Sequence, residues 1–326
     1  MPWDLVGHEA AVDLLRGDIG AGRAAHSYLF TGADGIGKRT LALQFARAVN
    51  CLAPPAPGVP CGGCRPCRLI AAERHPDLLV VRPEGTGSRI LVEAAREVVR
   101  AVILKPMEAA RRIALLVDFH RALPNAANAL LKTIEEPPPS ATILLTAETS
   151  DELLPTIVSR CRVVALRPLP SEKVAQALRE RWHVPPDRAD LLARLSGGRL
   201  GWAVEQSGRE EMSADRRELF EEWIGILHGN HAARFAAAER TAADREGVRD
   251  TLRAYESFGH DLLLRTLSPD AGITNIDFLE QLDELAGRVR PPEARRWLAA
   301  LRRAEEQIDR NANVLLALQA AFLDAP

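Results

Sequence analysis

The feature that most constrains this chain is Gly32-Ala-Asp-Gly35-Ile-Gly37-Lys38, which follows the apolar run Ser27–Thr31 and opens the helical stretch Leu41–Val49. A strand, a glycine-rich turn ending in lysine, and a helix are the setting of a phosphate-binding loop. Glycines let the backbone wrap closely around phosphates, while the amides of the helix N-terminus and the Lys38 ammonium supply positive potential. Such a loop needs a parallel sheet behind it, and the following sequence provides one. Leu78–Val81, Arg112–Val117, Thr142–Ala147 and Arg162–Leu166 read as further strands. Helical spacing between them covers Val92–Val102 and Asn125–Glu135, the latter stopped by Pro137, Pro138 and Pro139. Strands separated by helices predict an α/β domain whose sheet is covered on both faces.

After Pro168 and Pro170 the strand signals cease. Ser171 is placed to cap a helix running to Trp182, a second helix follows at Asp187–Leu195, and a third starts near Leu200. From residue 209 the pattern is helical throughout. Three domains are expected: an α/β domain over 1–168, a small helical lid over 169–208 and a larger all-helical domain over 209–326. A length of 326 residues suits two or three cores. The net charge of −2 gives no case for strong autonomous DNA binding, and 5% aromatic residues give little support for a base-stacking surface. The first residues have neither the basic segment nor the apolar stretch of a secretory signal. Apolar runs such as Ile113–Val117 fall far short of the ~18 residues of a membrane span. A cytoplasmic location with reduced thiols and no membrane partner is therefore expected.

The phosphate loop lacks parts needed for hydrolysis. A hydroxyl directly after the lysine holds Mg²⁺ in such loops, but Arg39 stands there. Thr40 comes one residue late, turned about 100° around the helix. A nucleotide could still be held by the backbone and Lys38, and the sequence leaves that open. The third strand ends in Asp118, the place of a metal-binding carboxylate, but the next residue is Phe119, which can neither take a proton nor orient water. His120 is close by; a lone histidine there is more readily structural than a substitute base. The cofactor-binding set is thus Gly32, Gly35, Gly37, Lys38, Thr40 and Asp118, as a degenerate nucleotide site. Failure at two separate catalytic positions points to a nucleotide-binding fold that no longer works as a motor.

Cys51, Cys61, Cys64 and Cys67 have the spacing C-x9-C-x2-C-x2-C within an insert over 51–67, of which residues 53–67, rich in proline, glycine and cysteine, are expected to be irregular. Four thiolates so arranged suit tetrahedral Zn²⁺. With no open coordination position, such a zinc would be structural. The fifth cysteine, Cys161, is expected to be a buried strand residue.

Several segments now resemble one family. Leu153-Leu-Pro-Thr-Ile-Val-Ser-Arg160-Cys161 is similar to the Ser-Arg-Cys motif of clamp-loader subunits in the AAA+ class. Asn128–Pro138 resembles their helix between the Walker B strand and sensor 1. The cysteine insert falls just after the phosphate-loop helix, as in the bacterial subunits, and Arg310–Gln319 resembles a last collar helix. The resemblance runs through 1–168, continues over 169–208 and is weakest beyond. It implies that Arg160 is catalytic in trans, an arginine finger for the ATP of a neighbouring gamma/tau subunit. It places Thr146 at the sensor-1 position and Gly201, in Gly198-Arg-Leu-Gly201-Trp202, where gamma/tau subunits carry a sensor-2 arginine. Loss at Arg39, Phe119 and Gly201 together fits the non-motor, delta-prime type of subunit. The chain also stops without the long extension typical of tau. Implied partners are the gamma/tau and delta subunits, the sliding clamp (beta) and primer–template DNA, at the replisome in the cytoplasm. The rival readings are an active gamma-type ATPase and, less well supported, a zinc-containing DNA-binding protein.

Overall fold

A computed structural model describes residues 3–84, 88–209, 212–244 and 247–326. It resolves into two compact units, one formed by Met1–His183 with Ser196–Val204, the other by Val184–Leu195 with Glu205–Pro326.

The first unit is built on five parallel strands: β1 (Ser27–Thr31), β2 (Leu78–Val81), β3 (Arg112–Leu116), β4 (Ala141–Ala147) and β5 (Arg162–Ala165). Their order across the sheet is β2-β3-β4-β1-β5. β1, β3 and β4 are buried along their whole length. That is why they read as continuous apolar runs and not as alternating ones. Alternation still decides which face each side chain serves. Leu29, Ala114, Leu116, Ile143 and Leu145 join one core with α4 (Val92–Ile103) and α5 (Pro124–Glu135). Tyr28, Phe30, Ile113, Leu115 and Leu144 join the other with α1 (Glu9–Gly20) and α2 (Lys38–Val49). A short helix α3 (Arg65–Ala71) follows the cysteine-rich segment, α6 (Pro155–Val158) precedes β5, and α7 (Ser171–Trp182) follows it.

Three details differ from the sequence reading. Pro170, not Ser171, occupies the cap position of α7, and no side chain caps it. The cysteine-rich stretch is not irregular to its end, because α3 begins at Arg65 and carries Cys67 in its first turn. Cys161 is half-buried and lies one residue before β5; burial pushes its thiol up to about 12.

The second unit contains α8 (Pro186–Leu195) and α10 (Met212–His228), α11 (His231–Ala243), α12 (Val248–Leu267), α13 (Leu279–Ala286), α14 (Pro291–Asp309) and α15 (Val314–Leu323). α9 (Leu200–Ser207) divides between the units. The core of the second unit is aromatic. Phe220 stacks on Phe278 with centroids 4.0 Å apart, and Trp223 stacks on Trp297 at 5.2 Å. Asn230 and Asn313 cap α11 and α15 by accepting from Ala233 and Leu316 amides. Among the described residues no helix is long and apolar enough to cross a membrane.

Candidate functional site

The parallel sheet places three sequence-predicted groups on one edge, the carboxyl ends of its strands, where α/β sheets bind ligands. The loop after β1 turns tightly because Gly35 and Gly37 adopt φ of +72° and +110°, which side chains rarely tolerate. Lys38 closes the loop. Its ammonium is nearly buried and donates to the carbonyls of Gly32 at 2.8 Å and Ala33 at 3.1 Å. Burial lowers its pKa, opposed by the nearby carboxylates of Asp118, Asp34, Glu148 and Glu152. Asp118 ends the β3 segment in the left-handed region, and its amide donates to the Thr146 hydroxyl at 2.8 Å. Thr146, nearly fully buried on β4, thereby ties the strand between β1 and β3 to this corner.

Two positions that should complete a hydrolytic site point elsewhere. Phe119 is 1% exposed and belongs to the core beneath α4 and α5. Arg39 leaves the loop sideways and pairs with Glu73, whose second oxygen takes Arg82. Burial would raise the Glu73 carboxyl, but the hydrogen bonds from Arg82 and Arg39 outweigh it and hold the group below its ordinary value. Thr40 is exposed and lines a cavity of about 620 Å³ with Leu5, Val6, Ile36, Trp182 and Gly201. Gly201 closes on the loop directly. Its amide donates to the Gly35 carbonyl at 2.7 Å, and a Cβ on Gly35 would lie 2.8 Å from the Trp202 nitrogen. His8 adds a further tie, with Nε2 3.1 Å from the Ile36 carbonyl.

Arg160 lies on the opposite edge. It precedes β5, which starts in register with Tyr28 at the beginning of β1, whereas the phosphate loop follows Thr31. About four residues of strand, roughly 13 Å at 3.3 Å per residue, separate the two levels. The guanidinium is 37% exposed; it donates to the Thr156 carbonyl at 2.8 Å and pairs with Glu135 at 2.8 Å.

The four cysteines of the insert converge, with all Sγ atoms within 4.8 Å of one another and no disulfide. The Cys51 and Cys64 sulfurs are 4.0 Å apart, close to the ~3.8 Å edge of a tetrahedron with 2.3 Å metal–sulfur bonds. Backbone amides of Cys61 and Cys64 donate to the sulfurs of Cys51 and Cys61. Donors from the Cys64 and Gly63 backbone bring the Cys61 thiol down to about 6, while burial pushes Cys67 up to about 12. The donor set and its spacing fit one metal ion. The module is fastened to the sheet by Asn50, which exchanges hydrogen bonds with the Arg111 backbone at 2.8 and 3.0 Å. Arg65 pairs with Glu108 on the adjoining loop.

The sequence profile of the DNA polymerase III, delta subunit family matches residues 7–170, half of the chain. The chain belongs to that family. Among its relatives, the DNA polymerase III subunit delta' of Pseudomonas aeruginosa is 40% identical over 184 residues, 55% of each chain. The delta' subunit of Bacillus subtilis is 33% identical over 216 residues, 66% of this chain and 63% of its own. The tau/gamma subunit of Haemophilus influenzae is 29% identical over 272 residues, 81% of this chain but 37% of its own. The chain thus spans less than two thirds of the delta' relatives it matches.

For this member of the DNA polymerase III delta family, the sequence had named the loop, Asp118, the cysteines and Arg160 as candidates. It missed the acidic partners Glu73 and Glu135. Glu135 lies inside the helix motif quoted for the family resemblance, yet nothing in its spacing announces Arg160. Glu73 is 34 residues from Arg39, and only tertiary structure pairs them.

Proposed function

We propose that this chain is a non-motor, delta-prime-type clamp-loader subunit: it lends Arg160 to the ATP of a neighbouring gamma/tau subunit and hydrolyses none itself. The observation that carries the reading is the division of labour between the two edges of one sheet. At the carboxyl edge, the residue after Asp118 is a buried Phe119 and the residue after Lys38 is an arginine drawn off to Glu73. At the amino edge, a half-exposed guanidinium sits a strand's length from the chain's own phosphate loop. A guanidinium so placed can stabilise phosphoryl charge only on a different subunit. The degenerate loop serves as a structural element, clasped by Gly201. The cysteines hold a structural Zn²⁺ that orders an insert with little core of its own. The helices of the second unit pack into a collar with the gamma/tau and delta subunits, and the assembly engages the beta clamp and primer–template DNA in the cytoplasm.

The test is a clamp loader reconstituted with the cognate gamma/tau and delta subunits. Arg160→Ala should lower DNA-stimulated ATP hydrolysis by at least about tenfold, whereas Lys38→Ala should leave it near wild type. Undiminished hydrolysis with Arg160→Ala would remove the finger role. ATP turnover by the purified chain alone, lost in Lys38→Ala, would restore the gamma-type reading.

A further inference from the structure

Glu135 is the last residue of α5, where the helix dipole is negative and a carboxylate is electrostatically misplaced. Glu136 follows it, so two acidic groups crowd one helix end. Helix propensity permits a glutamate at this position, but neither capping nor the dipole favours one. Its partner does: Glu135 Oε1 lies 2.8 Å from Nη2 of Arg160. Nη1 of the same guanidinium donates to the Thr156 carbonyl at 2.8 Å, with the Ser159 hydroxyl 3.4 Å away. One edge of the guanidinium is therefore tied down at both terminal nitrogens. Both partners are substantially open to solvent, 37% for Arg160 and 42% for Glu135. Exposed pairs of this kind add little to stability.

We propose that Glu135 is a positioning residue for Arg160: its carboxylate and the Thr156 carbonyl fix the plane of the guanidinium, leaving the remaining N–H donors facing outward for a neighbour's phosphate. The inference rests on the trans-finger reading given above. Arg carries five donors in a rigid fork, so two ties leave donors to spare while removing the rotational freedom of a long side chain. A free arginine would have to find the transferring phosphoryl group in each cycle; an anchored one meets it already oriented, and small misplacements of such a group cost large factors in rate.

The experiment uses the full chain in the reconstituted clamp loader, with ATP as the varied substrate. Glu135→Ala should lower kcat for DNA-stimulated hydrolysis by about tenfold with KM for ATP unchanged. Glu135→Gln, which keeps an oxygen acceptor, should recover to within about twofold of wild type. The melting temperature of each variant chain should match wild type, separating positioning from folding. If Arg160→Ala lowers hydrolysis but Glu135→Ala matches or exceeds the wild-type kcat, Glu135 is no positioning residue and only this inference falls. If Arg160→Ala itself hydrolyses at the wild-type rate, the finger reading fails first and this inference with it.

Discussion

Arg39 pairs its guanidinium with the carboxylate of Glu73, so the side chain standing where a phosphate loop would need a Mg²⁺-binding hydroxyl is engaged elsewhere. The Arg39 side chain is 49% exposed, and Glu73 is also held by Arg82. Arg39→Thr should therefore be mild, within about 1 kcal/mol of wild type, because the arginine end of the pair is exposed and Arg82 still partners the more covered Glu73. It should also fail to create ATP turnover, since a metal ligand without a water-orienting group completes nothing. Adding Phe119→Glu should not help. Phe119 sits in the core, so the new carboxylate would be buried without a partner at a cost of about 3 kcal/mol or more. Phosphate release and thermal melts of both variants check this. Steady turnover by Arg39→Thr alone would show that the loop is closer to competence than its geometry indicates.

The cysteine module gives a second test. With zinc as its structural ligand, the purified chain should carry one metal ion by elemental analysis. Cys64→Ser and strong chelation should each lower the melting temperature of the first unit, because metal binding is coupled to local folding. Hydrogen exchange should rise at Asn50 and Arg111, where the module meets the sheet. A metal-free chain with an unchanged melt under chelation would show that the four sulfurs gather without needing an ion.

Much of this arrangement was legible in the sequence, for physical reasons. β1, β3 and β4 are buried on both faces, so they stand out as short continuous apolar runs, although such runs carry no alternation from which register could be read. The tight turn after β1 was legible because three glycines precede a lysine between an apolar run and a helical one, and Gly35 and Gly37 do adopt positive φ. α1 went unread because Gly17 and Asp18 interrupt its apolar spacing, even though Leu15 is fully buried. α3 was hidden because the cysteines and Pro66 suggested irregular backbone, yet proline fits the first turn of a helix. The electrostatic pairs Arg39–Glu73 and Arg160–Glu135 were illegible, since strand order and crossover geometry, not spacing along the chain, bring them together.

Asp77 supplies a pH-dependent prediction. Its side chain is fully buried and accepts from the amides of Met107, Glu108 and Ala109 at 2.8–2.9 Å and from Arg112 at 2.9 Å. Burial acts to raise its pKa, but those donors prevail and hold the carboxyl below its ordinary value. The folded state then binds this proton less readily than the unfolded chain, whose aspartate titrates at about 3.9. Its contribution is present in full above that pH and is lost as pH falls through the lower folded value. Asp77→Asn should cost about 3 kcal/mol or more at pH 7 by leaving Arg112 without its carboxylate. The gap from wild type should narrow below about pH 4. Urea titrations across that range decide the matter; a gap constant with pH would mean the charge is not what stabilises the loop.

Arg234 is the corresponding test for the helical unit. It is 9% exposed and donates to five backbone oxygens: those of Ile226 and Leu227 in the last turn of α10, Leu323 at the end of α15, and Ala325 and Pro326 beyond it. A cation placed among helix C-termini is favoured by both dipoles and satisfies acceptors that have no intrahelical donor. Burial nonetheless lowers its pKa, so the carbonyls compensate for lost hydration. Arg234→Met keeps the apolar stem but strands those acceptors, and should cost about 3 kcal/mol or more. Arg234→Lys should recover only part of that loss, because three donors on a point charge cannot reach five oxygens. Equilibrium unfolding in urea should show the midpoint falling in the order wild type, Lys, Met, with the slope unchanged. A Met variant as stable as wild type would mean that water replaces the guanidinium at these carbonyls, and that the two helix ends are held by their apolar packing alone.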